Sequence, residues 1–130
     1  MQSTAGAATD RETGSVTAEL VVALPALLLT LSAAIWGVGA GAAQVRCLDA
    51  AREGARTAAR GEPPAEVLAA ARRAAPAGAT IRVRRNGDLV RVSVAASVAP
   101  LGMLAGRAPA LHVSGAATAD VEAAVPRSQP

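Results

Sequence analysis

The chain has no phenylalanine, no tyrosine and no lysine, and only one tryptophan, one cysteine and one histidine in 130 residues. Each absence removes a class of function. Without aromatic side chains to stack on bases, and with a net charge of only +3, the pI near 10.9 does not support nucleic-acid recognition. A single Cys47 cannot build an internal disulfide framework. One His112, one Cys47 and scattered carboxylates supply neither a nucleophile–base pair nor a soft-ligand metal set, so the reading is of a non-enzyme without cofactor. All 13 basic residues are arginine, which with 35 alanines reflects a high-GC codon bias. The alanines also inflate the 52% hydrophobic content, because each buries little area. The stretch beyond Gly61 therefore has a thin core, of a size that rarely supplies more than about 3–5 kcal/mol. It should lean on another element.

The hydrophobicity is concentrated instead in an uncharged run, residues 20–43. As a helix at about 1.5 Å per residue it would reach roughly 36 Å, enough for a bilayer core of about 30 Å. Glu19 sits at its lip. An isolated carboxylate in a membrane is costly and has a partner as a rule. A cut behind Gly14 would supply one, by freeing the α-amine of Ser15, whose ordinary pKa of about 8 leaves it protonated at neutral pH. That amine could neutralise Glu19 of an adjacent, axially shifted copy. A capping box does not explain the acid, since the residue three positions earlier is Val16.

Along the chain, residues 1–14 read as a flexible leader and a long helix covers 15–60, with its membrane span at about 20–43. Pro25 should kink that helix or free a carbonyl. Ala33, Gly37 and Gly41 lie four apart and would let a second helix approach closely. Over residues 44–60, Arg46, Asp49, Glu53, Arg56 and Arg60 form a charged stripe, and Leu48, Ala51, Ala55, Ala58 and Ala59 form a small-residue side that needs something to pack against. Pro63 and Pro64 open a second helix through Ala75, ended by Pro76-Ala77-Gly78. Ile81 and Val83 alternate with arginines, Asn86-Gly87 marks a hairpin, and Val90, Val92 and Val94 continue the alternation. Leu111, Val113, Ala117, Ala119 and Val121 mark a third strand. The expected fold is α+β: the long helix, a short helix and a small antiparallel sheet in a 61–125 exported domain, then a disordered tail at 126–130. Arg82, Arg84 and Arg91 share the polar face of the hairpin; a solvated face is the simplest account, and facing an anion such as DNA or a cell-wall polymer is the sharper one. His112 falls on the outer face of the third strand. Cys47 reads as an inert helix residue, or else as one half of an intermolecular disulfide.

Gly14-Ser15-Val16-Thr17-Ala18-Glu19 followed by an apolar helix matches the type IV prepilin cleavage pattern. Together with Glu19-Leu20-Val21-Val22-Ala23-Leu24-Pro25 and Asp49-Ala50-Ala51-Arg52-Glu53-Gly54-Ala55-Arg56, it resembles the TadE-family minor pilins, or pseudopilins, of tight-adherence pilus systems. The resemblance covers residues 14–60. It implies a bacterial inner-membrane, single-pass prepilin, processed at Gly14 and Ser15 with Glu19 as the assembly acid. Its carboxyl-terminal domain would lie outside the cytoplasm, with entry into a surface pilus as the further step. The partners it implies are other pilin or pseudopilin subunits, a prepilin peptidase, the pilus assembly machinery and membrane lipid. Ser15 and Leu20 depart from the aromatics common at those positions in major pilins. The arginines point the other way on topology: Arg11 precedes the run, while Arg46, Arg52, Arg56 and Arg60 follow it. Two further readings remain open: a secreted protein with a signal peptide cut around Ala40-Gly41-Ala42, and an unprocessed single-span protein with a partner-binding domain.

Overall fold

The computed structural model describes residues 6–121. Helix α1 (Gly6–Ala59) is one continuous element of 54 residues. It begins upstream of the expected start near Ser15, and residues 6–14 are helical. The reason is local: Ala7, Ala8, Arg11 and Glu12 favour helix, and no proline interrupts before Pro25. The helix also continues through Pro25, which has no N–H to give to the Val21 carbonyl. The expected tail at 126–130 lies outside the described residues.

Helix α2 (Pro64–Ala74) starts as anticipated, with Pro64 in its first turn and an extended Pro63 before it. It stops one residue short of Ala75, whose extended backbone turns the chain toward Pro76. Three strands follow, β1 (Thr80–Asn86), β2 (Leu89–Val98) and β3 (Leu111–Asp120), antiparallel in the order β1-β2-β3. A single 3-10 turn, Gly102–Leu104, interrupts the β2–β3 connection. The fold is α+β, as the alternation predicts.

The hairpin turn differs in detail from the expectation. Asn86 pairs with Leu89, so the two central residues are Gly87 and Asp88, not Asn86 and Gly87. Only Gly87 has positive φ, at 63°, the sign pattern of a type II′ turn with glycine in its first central position.

Alternation along the strands sends Ile81, Val83, Val90, Val92, Val94, Val113 and Ala117 to one face, and both helices cover that face. The core joins Val90, Val92 and Val94 of β2 to Val67 and Ala71 of α2 and to Cys47, Ala50, Ala51 and Ala58 of α1. Val92 and Val94 are fully buried, each worth roughly 1.5–3 kcal/mol relative to exposure. The small side of α1 thus packs on the sheet. The other sheet face carries Arg82, Arg84, Arg91, Ser97 and His112, and among the described residues no layer covers it.

Candidate functional site

From Gly14 to Leu31, α1 is exposed. Leu20, Val21, Val22, Leu24, Leu27, Leu28 and Leu31 are all exposed, and the stretch is long and apolar enough to cross a membrane. Glu19 is the only charged residue between positions 14 and 45. It is exposed, and no ion pair reaches it among the described residues. The hydroxyls further along are satisfied within the helix: Thr30 donates to the Ala26 carbonyl at 2.9 Å and Ser32 to the Leu28 carbonyl at 2.7 Å. A Cβ built on Gly14 would meet nothing within 4 Å.

At Ser32 the environment changes, because the domain reaches back along the helix. Ser32, Trp36, Ala40, Gln44 and Cys47 recur at steps of three and four and form the stripe on which the sheet lies. The Trp36 indole N–H donates to the Val98 carbonyl at 3.2 Å. The Gln44 side-chain amide works as a clasp on Ser114: its Nε2 donates to the Ser114 carbonyl at 2.7 Å, and its Oε1 accepts from the Ser114 N–H at 3.1 Å. Strand β3 is an edge strand, so this amide satisfies backbone groups that would otherwise invite another strand. One residue on, the absence of a side chain on Gly115 lets the strand sit against the helix backbone. A Cβ there would fall 2.6 Å from the Leu48 nitrogen and 2.7 Å from the Cys47 carbonyl carbon.

Cys47 is completely buried under that contact, and desolvation pushes its thiol pKa up. This favours the inert reading and removes the sulfur from the surface that an intermolecular disulfide needs. Ala33, Gly37 and Gly41 remain exposed, and nothing lies within 4 Å of a Cβ built on either glycine. The chain does not pack on this stripe itself. Arg82, Arg84 and Arg91 do share the open sheet face, with Arg84 directly opposite Arg91, far in sequence and fold from Glu19. No carboxylate pairs with them among the described residues; the ion pairs are Arg52–Asp49 and Arg56–Glu53, each at 3.5 Å and exposed. A depression on that face, lined by Thr80, Ser97, His112 and Ser114 among others, holds His112 as its one titratable side chain, so no acid–base pair forms in it.

Sequence reasoning did not single out Gln44, Ser32 or Gly115. Gln44 had a signal, as the first amide after a long apolar run. Gly115 had one too, as a glycine at an inward position of an alternating strand, which marks close backbone approach.

The bare half of α1 and the stripe that follows coincide with the region shared with known proteins. Residues 14–56 match the family described as TadE-like protein. Over this segment the chain is similar to TadE-like proteins. That family is associated with the Tad pilus and is not an enzyme family. The apoptosis inhibitor Rv3655c of Mycobacterium tuberculosis is 44% identical over 78 residues, a match spanning 60% of this chain and 62% of that protein. No solved structure matches the chain. The TadE-like match begins at Gly14 and ends within the part of α1 that the sheet covers.

Proposed function

We propose that the chain is a minor pilin or pseudopilin subunit of a Tad-type pilus system, trimmed behind Gly14 by a prepilin peptidase and anchored by the first half of α1. The observation that carries this reading is the bare apolar helix with Glu19 as its lone charge. A membrane or a bundle of neighbouring pilin helices would supply the surroundings this helix lacks within the chain. Residues 16–35 measure about 30 Å at about 1.5 Å per residue, which matches a bilayer core and moves the span upstream from the 20–43 run. Trp36 then falls at the interface, where tryptophan is enriched.

Processing needs the backbone at Gly14 to leave the helix. Glycine lowers helix stability by about 1 kcal/mol relative to alanine, so the cut site is a weak point in the ladder. After the cut, the Ser15 ammonium of one subunit neutralises Glu19 of the next. Ala33, Gly37 and Gly41 give the neighbouring helix a narrow face to approach. The small domain faces away from the cytoplasm, and Arg82, Arg84 and Arg91 lie on its open sheet face, where an anionic surface would be met.

Sequencing the mature amino terminus tests the proposal. In the presence of the cognate peptidase it should be Ser15, and Gly14→Val should block the cut without disturbing the fold, since the position is open. A mature terminus at Met1 or near Ala43 would overturn the assignment.

A further inference from the structure

The β2–β3 connection is uncharged from Ala99 through Gly106, and it is folded against α1 at the level where the helix ceases to be bare. Its 3-10 turn touches Ser32: a Cβ on Gly102 would stand 2.8 Å from the Ser32 hydroxyl oxygen. Leu101 is 59% exposed and Met103 36%, with no apolar layer of the domain covering them. On α1, Leu31, Ile35 and Val38, all within about two turns of Ser32, are also exposed. Ile35 and Trp36 lie about one helical turn, ~5.4 Å, beyond Ser32. Loop and helix therefore both present exposed apolar side chains where the 3-10 turn meets α1. The first charge after the loop is Arg107, whose guanidinium donates to the Met103 carbonyl at 3.0 Å and so is held at the rim of this surface.

We propose that the 99–106 loop is a second membrane contact. Leu101 and Met103 enter the acyl–headgroup boundary beside the emerging helix, Trp36 lies at the same depth, and Arg107 meets the lipid phosphates. The occupant is lipid, because the patch is continuous with the stretch that the anchoring reading places in the bilayer. An amphipathic belt of Trp and Arg at its upper edge is what an interface selects. The turn meets α1 at Ser32, near the upper end of the 16–35 span, and it closes part of its own backbone bonds, Ala105 N–H to Gly102 and Arg107 N–H to Leu104, which lowers the cost of lying at the boundary. The proposal rests on the anchoring reading, and its test separates the two.

The full chain carrying Cys47→Ala is given one cysteine at a time, Leu24→Cys, Met103→Cys or Arg84→Cys. Each is labelled with an environment-sensitive fluorophore and reconstituted into phosphatidylcholine–phosphatidylglycerol vesicles. Nitroxide lipids with the quencher near the headgroup or deep in the chain are then compared. The expected result is loss of emission at position 103 with the shallow quencher, loss at 24 with the deep one, and no loss at 84. Quenching at 24 without quenching at 103 overturns the loop contact while the anchor stands. No quenching at either position overturns the anchoring reading and the loop contact with it. A label at 103 that is shielded from aqueous iodide yet unaffected by both lipids means that a second copy covers the loop, which also overturns the proposal.

Discussion

Between residues 14 and 31, helix α1 carries leucines and valines and is exposed on every side, whereas from Ser32 onward the same helix carries alanine, glycine and a cysteine on its buried face. The larger apolar side chains are on the half that the chain leaves uncovered, and the smallest are on the half it packs. That inversion follows from what each half meets. A sheet lying on a helix needs close backbone approach, which Ala51, Ala55, Ala58 and the Gly115 contact provide. A lipid environment imposes no such limit and rewards area. Charge separates the two halves, since Arg46, Asp49, Arg52, Glu53 and Arg56 all lie beyond Ser32. On the apolar faces, the size of the side chains separates them as well.

The comparison is broken most severely by removing the covered half. The core is shared between the sheet, α2 and α1, and the domain has no aromatic residue to compensate. A fragment comprising residues 61–130 should show no cooperative thermal transition by circular dichroism, and one comprising residues 32–130 should restore it. A sharp transition in the shorter fragment would mean that the sheet and α2 suffice.

Changing the bare half should act in the opposite manner. Glu19→Gln removes a charge that no group of the described chain neutralises, so folding stability and membrane insertion should be kept. Co-purification with other pilin subunits should fall sharply, because the neighbour's amine loses its counter-charge. Equal recovery of the Gln variant and the parent would reduce Glu19 to a residue near the start of an apolar stretch.

The packed and open sides of the covered half also predict opposite responses to a single methyl group. Gly115→Ala drives a Cβ into the α1 backbone, which cannot rotate away. Overpacking of this kind costs typically about 1–3 kcal/mol, and here the upper end is expected in urea denaturation of detergent-solubilised protein. Gly37→Ala adds the same methyl where nothing lies within 4 Å and should leave stability equal or slightly raised. Its effect should appear instead in subunit association. Similar destabilisation by both changes would contradict the division between the packed and the open side of the helix.

Most of the architecture was legible because it is written in periodicity. The alternation of Ile81 and Val83, and of Val90, Val92 and Val94, fixed which face turns inward. Pro63-Pro64 fixed where α2 begins. What was not legible depended on which elements meet. The clasp of Gln44 on Ser114 joins residues 70 positions apart, and no local pattern announces it. The retreat of the bare stretch to positions before Ser32 follows from where the β2–β3 loop lands, whereas hydropathy alone extends the run to Ala43. The early start of α1 reflects the absence of a breaker, which a search for a leader peptide passes over. In the site, Glu19 and Gly14 stood out as an acid and a glycine at a meaningful spacing, but their roles rest on partners outside the chain.

The clasp gives a graded, smaller test. Gln44→Leu removes both bonds to Ser114 at an exposed edge and should cost about 1–2 kcal/mol, at roughly 0.5–1.5 kcal/mol per hydrogen bond. Gln44→Glu keeps an acceptor for the Ser114 N–H and loses only the donor, so its cost should fall between those of the parent and the Leu variant. Hydrogen exchange at the Ser114 amide reads this directly: protection should drop for Leu and be largely retained for Glu. Identical protection in all three proteins would show that the edge is guarded by something other than this side chain.

The smallest expected effect comes from Cys47 and is readable only because of what the sequence lacks. With no lysine and no tyrosine, Cys47 is the one side chain of the chain that titrates between about pH 8 and pH 11. Burial raises its pKa in the folded state, so the folded thiol keeps its proton above about pH 8.5, where an unfolded thiol begins to lose it. The unfolded state then binds fewer protons than the native one, and stability must fall as pH rises. The loss should be absent below the free thiol's pKa and then grow by at most about 1.4 kcal/mol per pH unit until the raised pKa is reached. Cys47→Ala should flatten that alkaline slope, at the expense of a small packing loss present at every pH. In the parent, a thiol reagent should react only as fast as the domain lifts from α1, and adding denaturant should speed the reaction. A fast reaction of the native parent, or an unchanged slope in the Ala variant, would mean that Cys47 is not sealed beneath β3 and that the covered half of the helix opens more readily than its packing implies.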